Sequence, residues 1–233
     1  MNSDMLIQLY RKVCECNSQV CKMDSEIYNC PSKGSPPRGF YTEPTTFKKV
    51  LIVGKNPGHA LKSEADSYIN LQGEDLVKAH WAFSMKTFFN INIFSSEELP
   101  STRFHSNLIS YLSEIIGCNS KEIFKYAAYT NLVKCSTLNE QAILSKKTMN
   151  ECFDNHLLKE IEFFNPTLIF ALGRETETYL KSKLNLLNLK IEIAYIKHPS
   201  YFYNKNIRNE KLRELKESYL RHFSHQLTTY EGH

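Results

Sequence analysis

Two short loops and a crowd of cysteines carry the residue types in this chain that could do chemistry. The apolar run Val50-Leu51-Ile52-Val53 breaks at Gly54 and again at Pro57-Gly58, so Lys55 and Asn56 fall in a tight loop directly after a short buried strand. In an open α/β sheet, the loop beyond the carboxyl end of a strand is where ligands bind. A second loop, His198-Pro199-Ser200, follows the apolar run Ile191 to Ile196 and sets an imidazole and a hydroxyl at a comparable place. Either loop alone reads as an ordinary turn; the two together point to a site. Sulfur forms the third group. Of seven cysteines, Cys14, Cys16, Cys21 and Cys30 crowd the first thirty residues. An odd count with no secretion signal argues against a disulfide framework and for reduced thiols or a metal site.

The elements that must position these residues follow from periodicity. Leu6, Leu9, Tyr10 and Val13 make one face of an N-terminal helix, after which periodicity is lost in the cysteine-rich stretch. Residues 32–39, with two prolines and two glycines, cannot sustain helix or central strand. Phe104, Leu108, Leu112, Ile115 and Ile116 predict a helix over 101–116, ended by Gly117. A strand is expected over Ala127 to Val133, and Thr148-x-x-Glu151 has the form of a capping box opening a helix that buries Phe153, Leu157, Ile161 and Phe164. A strand over 167–171, a helix from Arg174 to about Leu184, the strand over 191–196 and a closing helix with Leu212, Leu215, Tyr219 and Phe223 on one face complete the pattern. Such β-α alternation implies a three-layer α/β/α domain around a mainly parallel four-stranded sheet.

Composition bounds the reading. The 233 residues suffice for a single domain, and 42% hydrophobic with 23% charged residues is the make-up of a globular protein. No run approaches the roughly 20 apolar residues of a membrane helix, and Met1 to Tyr10 is not a basic start followed by an apolar core. A cytoplasmic location, with the nucleoid or invading DNA, is expected. The net charge of +4, from 29 basic and 25 acidic residues, is compatible with a nucleic acid partner but is too small to argue for one.

Four motifs in order resemble the uracil-DNA glycosylase superfamily. Gly54-Lys55-Asn56-Pro57-Gly58 looks like the Gly-x-Asn-Pro-Gly loop of its mismatch and thymine-directed members. Tyr129-Thr130-Asn131-Leu132-Val133-Lys134-Cys135 resembles the Thr-Asn-x-Val-Lys-Cys strand of the iron-sulfur branch, and Pro166-Thr167-Leu168-Ile169-Phe170-Ala171-Leu172-Gly173 its Pro-x-x-Ile-x-x-Leu-Gly strand. His198-Pro199-Ser200 looks like the family's last loop.

The resemblance implies a glycosylase that flips a uracil or modified pyrimidine out of DNA and hydrolyses its N-glycosidic bond. It implies that Asn56 orients the attacking water, that His198 donates to the base oxygen as negative charge grows there, that Asn131 reads the base edge, and that Gly54, Lys55, Pro57, Gly58 and Ser200 line the substrate. Asn56 cannot accept a proton, and Lys55 stands where the iron-sulfur branch has Glu, so slow turnover is expected. Lys55 is a phosphate-facing or solvated cation in one reading and an amine nucleophile with lyase activity in the other. Gly58, where the uracil-specific branch has Tyr, leaves the pyrimidine 5-position open. The single domain then comprises a cysteine-rich segment, 1–45, and a long stretch, 59–128, carrying a lid; Trp81, Phe83, Phe88 and Phe89 lie where the family supplies a stacking aromatic.

Cys135 and Cys152 resemble cluster ligands of the iron-sulfur branch, whose other two come from an N-terminal Cys-x-x-Cys that this chain lacks. Cys14 and Cys16 are the first expectation for that pair, with Cys21 or Cys30 as substitutes for either; a [4Fe-4S] cluster, zinc and free thiols are the three states weighed. A monofunctional, monomeric glycosylase is expected. Two alternatives stay beside it: a phage-defence enzyme removing hydroxymethylated or glucosylated cytosine, and a damaged-DNA binder that has kept the fold without the chemistry.

Overall fold

A computed structural model describes residues 3–27, 49–57, 71, 74–75, 79, 103–137, 142–199 and 205–227. Four runs of five residues form the sheet: β1 (Val50–Gly54), β2 (Ala127–Asn131), β3 (Leu168–Leu172) and β4 (Glu192–Ile196). All pair in parallel in the order β2-β1-β3-β4, so β1, with its loop at 55–57, is central. The first three are buried along their whole length; β1 and β3 are accordingly apolar runs and not alternations, whereas β2 carries Tyr129, Thr130 and Asn131 into the interior.

Side-chain alternation along the strands divides the core in two. Leu51, Val53, Ala128, Ile169 and Ala171 face a layer made by α1 (Ser3–Cys14), α2 (Gln19–Met23), α5 (Lys146–Cys152), α6 (Leu158–Phe164) and α7 (Arg174–Leu186). Val50, Ile52, Tyr129, Phe170 and Ile196 face α3 (Arg103–Ile116), α4 (Ile123–Tyr126) and α8 (Lys205–Leu227). Leu108, Leu112, Leu212 and Leu215 are buried there, each side chain contributing about 1.5–3 kcal/mol by leaving water. The expected three layers are present, and residues 103–126 of the 59–128 stretch belong to one of them.

Helix boundaries follow local chemistry. The helix of 103–116 stops at Gly117, whose φ of 77° is the left-handed conformation that glycine adopts without strain. The expected capping box at Thr148 is displaced: α5 opens at Lys146, and the cap is Ser145, whose Oγ accepts from the Thr148 N–H at 3.1 Å. Thr148 Oγ1 instead donates to Asp24, and Glu151 accepts from Ser18 Oγ at 3.0 Å. Both bonds hold the N-terminal segment against α5. A π-helical turn, Phe153–Leu157, joins α5 to α6 and buries Phe153, His156 and Leu157. Among the described residues, no helix is long and apolar enough to cross a membrane.

Candidate active site

The parallel sheet brings the carboxyl ends of β1, β2, β3 and β4 to one edge, and the residues singled out above converge there. Gly54 pairs in register with Asn131 across β1 and β2. A Cβ at Gly54 would lie 2.5 Å from Asn131 Oδ1 and 2.8 Å from the Tyr129 hydroxyl, closer than carbon tolerates. Glycine is therefore required for close approach. Tyr129 lies two residues before Asn131 on the same strand face, and its hydroxyl donates to Asn131 Oδ1 at 3.0 Å. Asn131 is 1% exposed and Tyr129 5%.

The loop after β1 is fixed by its own amide. Asn56 Nδ2 donates to the Pro57 carbonyl at 2.9 Å and to Thr137 Oγ1 at 3.1 Å. Both amide hydrogens are thereby used, and Oδ1 is left as the acceptor, the group that can hold a water. Thr137 follows β2 and forms a bridge with Ile27, so the N-terminal segment reaches this loop. Pro57 is buried.

Lys55 is engaged by the protein itself. Its Nζ pairs with Glu175 at 2.9 Å and donates to the Ala142 carbonyl at 2.9 Å. The ammonium is held by a carboxylate from the first turn of α7, in a pair that stays partly exposed. Gly173, at φ 95°, makes the turn from β3 that delivers Arg174 and Glu175 to the edge. The rule that pointed to the β1 loop, a glycine directly after a buried strand, would have pointed here too.

His198 lies just beyond β4 and is partly buried, with the Phe104 ring 5.2 Å from its own. Asn107 Nδ2 donates to the Pro199 carbonyl at 2.7 Å. Phe104 and Asn107, one turn apart on α3, thus hold the His-Pro loop from the side. The sequence showed Phe104 only as a core residue and gave no signal for Asn107. Gly58, Ser200, Cys30 and the aromatics Trp81, Phe83, Phe88 and Phe89 lie outside the described residues.

On the opposite face, β2 leads into the sulfur site. Cys21 receives hydrogen bonds from the Cys135 and Cys152 thiols, which pull its own thiol far below the ordinary range, while theirs are pushed up by sharing with Cys21 and by burial. Cys16 lies within electrostatic reach of Cys135 and Cys152, and the Lys134 main-chain N–H donates to Cys152. Cys14 stands apart, its thiol pushed up by burial and by the charge of Glu15. The N-terminal residue in contact with Cys135 and Cys152 is therefore Cys21, the alternative, and not Cys14. A five-residue spacing arises because α2 turns the chain between Ser18 and Asp24. Among the described residues, no three ligand-type side chains form a ready-made metal geometry.

No curated protein matches the chain. A family model described as the uracil DNA glycosylase superfamily matches residues 41–223.

Proposed function

The chain belongs to the uracil DNA glycosylase superfamily, a membership that supports a DNA glycosylase acting on a base in DNA, and we propose that it is a monofunctional enzyme that flips out a uracil or modified pyrimidine and hydrolyses its N-glycosidic bond. The observation that carries this reading is the edge shared by β1 and β2. There, among the described residues, Asn56 keeps its oxygen free to hold water, and Asn131 is clamped against Gly54 with its amide nitrogen unpaired.

In this reading Asn56 Oδ1 accepts a hydrogen from the attacking water and orients it. An amide takes no proton, so the reaction relies on stabilising charge as the bond breaks. His198 donates to the carbonyl oxygen of the departing base, with its loop braced by Phe104 and Asn107. The Lys55–Glu175 pair favours hydrolysis over attack by an amine. Proposed as a monomer, the protein meets DNA along the edge where these loops gather.

The donor set of Cys16, Cys21, Cys135 and Cys152, four thiols of which the last three are buried, supports a [4Fe-4S] cluster as the proposed occupant, with zinc second. A bound cluster would tie the N-terminal segment, the segment after β2 and α5 together through iron–thiolate bonds. Iron and acid-labile sulfide are expected in anaerobically purified protein, lost in Cys21→Ser and kept in Cys14→Ser; iron kept in Cys21→Ser and lost in Cys14→Ser would restore the other assignment.

The deciding experiment incubates the protein with duplexes that each carry one altered pyrimidine, from uracil and thymine to glucosylated hydroxymethylcytosine, followed by alkaline cleavage. Strand breaks only after alkali, with no adduct trapped by borohydride, are expected. Missing proton acceptors at positions 55 and 56 favour a second reading, a damaged-DNA binder, and tight binding without cleavage of any duplex would establish it. Release of glucosylated or hydroxymethylated cytosine would establish the defence role.

A further inference from the structure

The half-buried amide of Asn56 is held from two directions. Nδ2 donates to the Pro57 carbonyl at 2.9 Å, and because a carbonyl only accepts, this bond decides which end of the amide is the nitrogen. The second hydrogen goes to Thr137 Oγ1 at 3.1 Å, 81 positions along the chain. Pro57 belongs to the same loop as Asn56 and moves with it. Thr137 belongs to another element, so its bond is the one that ties the amide to the rest of the fold among the described residues.

Thr137 is fixed in turn from behind and from across. Beyond β2 the Leu132 N–H donates to the Gly54 carbonyl at 2.8 Å and the Val133 N–H to the Lys55 carbonyl at 2.9 Å, so the chain runs on beside the β1 loop. Lys134, Cys135 and Ser136 are each 2% exposed or less, which makes a short buried tether ending at Thr137. Across from it, Ile27 forms an antiparallel bridge with Thr137 and is itself fully buried. Ile27 closes a turn that begins at Asp24: its N–H donates to the Asp24 carbonyl at 3.2 Å, while the Asp24 carboxylate accepts from the Glu26 N–H at 3.1 Å and from Thr148 on α5. Residues 3–27 lie outside the 41–223 stretch that the family model matches. Through Thr137, the Asn56 amide thus leans on a part of the chain that the family match does not include.

We propose that Thr137 is a positioning residue for the water-holding amide of Asn56, and that the N-terminal segment, docked on Thr137 through Ile27, keeps it in place. The inference rests on the glycosylase reading for the role of Asn56 and goes beyond it by giving residues 3–27 a task in the reaction. A water on Oδ1 lies where the amide plane puts it, and a displacement of about 1 Å can cost on the order of 10²-fold in rate. With no proton acceptor at positions 55 and 56, placing the water is what this loop has to offer. A bridge that merely fastened the N-terminal segment to the sheet would affect stability and leave the rate of the folded molecule unchanged.

Three variants separate these roles. Thr137→Val removes the hydroxyl and keeps the branched shape; Thr137→Ser keeps the hydroxyl. Asp24→Ala loosens the turn that presents Ile27 and alters no residue of the β1 loop. Single-turnover excision is measured on the altered-pyrimidine duplex that wild type cleaves fastest, beside affinity for an abasic-site duplex and the unfolding midpoint. The Asn56 side-chain NH2 is followed by heteronuclear NMR, its signals identified by their loss in Asn56→Asp. Thr137→Val should excise on the order of tenfold more slowly, with abasic-site affinity near wild type and the Asn56 signals shifted. Thr137→Ser should restore rate and signals together. Asp24→Ala should slow excision and shift the same signals, and adding it to Thr137→Val should slow excision no further, as expected for residues acting through one contact. A wild-type rate in Thr137→Val, no rescue by serine, or losses that add in the double variant overturns the inference. Asn56 signals that shift as expected, with no base released from any duplex even by wild type, would sink the glycosylase reading and leave the positioning role standing.

Discussion

Strand β2 carries two polar centres on opposite faces of the sheet, and they obey opposite rules. Tyr129 and Asn131 lie on the face toward α3 and are neutral; one hydrogen bond joins them, and one amide nitrogen is left unpaired among the described residues. Thr130, between them in sequence, turns to the other face. There Lys134 Nζ lies 2.7 Å from Glu160 Oε2, 2.6 Å from Thr130 Oγ1 and 2.8 Å from the Asn131 carbonyl, with Lys134 and Glu160 each 1% exposed. A neutral amide can be left unpaired for about 1–3 kcal/mol, but an unpaired buried charge costs far more. The neutral face can therefore display a group to a substrate, whereas the charged face has to be closed.

The closed face has a second member that stays neutral. His156, in the π turn, has both ring nitrogens buried without partners among the described residues. Burial, then the charges of Lys134 and Lys159, push its pKa down to about 3. Burial and the two lysine charges thus keep the imidazole neutral. The same Lys134 that closes the ion pair holds the carbonyl of Asn131, so the charged centre sets the backbone from which the neutral one is displayed.

Breaking the charged centre should give the largest effect. Lys134→Met strands the Glu160 carboxylate and should destabilise the fold by about 3–5 kcal/mol, measured by urea denaturation. The double variant Lys134→Met, Glu160→Leu should recover much of that loss, because the penalty lies in the unpaired charge and not in the absence of the pair. A single variant that loses less than about 1 kcal/mol would mean that the pair is hydrated and that the contrast between the faces is false.

The neutral side should respond in rate and not in stability. His198→Ala is expected to lower the rate of excision by on the order of 10²-fold, equivalent to about 2.7 kcal/mol, with DNA affinity and unfolding midpoint nearly unchanged. The imidazole is partly exposed beside Phe104, so its removal opens no deep cavity. A parallel fall in binding at an unchanged single-turnover rate would make His198 a docking residue, and a large fall in stability would place it with the charged face.

These two centres also mark what the sequence could and could not disclose. Strands β1 and β3 were legible because each is a compact apolar run, and the loops after the strands were legible as a site because parallel strands bring their carboxyl ends together. Asn131 was identified through its motif. Tyr129 was not, since a tyrosine in a buried strand looks like any aromatic core residue until its hydroxyl is found beside Gly54 and Asn131. Lys134 gave no sign of burial, because only the packing of α6 against β2 supplies its carboxylate, 26 residues away. Cys21 was one of four N-terminal candidates, and nothing in their spacing favours it. The short helix α2 does, by folding it back toward Cys135 and Cys152. The cap of α5 was misplaced for a related reason: Ser145 and Thr148 are both capping residues, and a tertiary bond to Asp24 takes Thr148.

A third polar centre, at the far edge of the sheet, tests whether the contrast depends on charge or on burial. Glu192 opens β4 and gathers Ser218, Arg221 at 3.0 Å and His222 at 2.9 Å from α8. It is charged like Glu160, but its side chain is 35% exposed. Burial acts to raise its pKa, yet the hydrogen bonds from Ser218 and His222 and the charge of Arg221 outweigh it, and the carboxyl is held below its ordinary value. A carboxyl depressed in the folded state is the less protonated one there, so its contribution is fully present above the unfolded value of about 4.3 and is lost as pH falls through the lower folded value. Water screens this centre, so the contribution should stay below about 1 kcal/mol. Glu192→Gln should therefore leave a slightly less stable protein at neutral pH and a shallower loss of stability on acidification below about pH 4, followed by urea midpoints across that range. Should Glu192→Gln instead cost as much as Lys134→Met, charge alone would set the energetics, and the enclosure of the Lys134–Glu160 pair would lose its explanatory role.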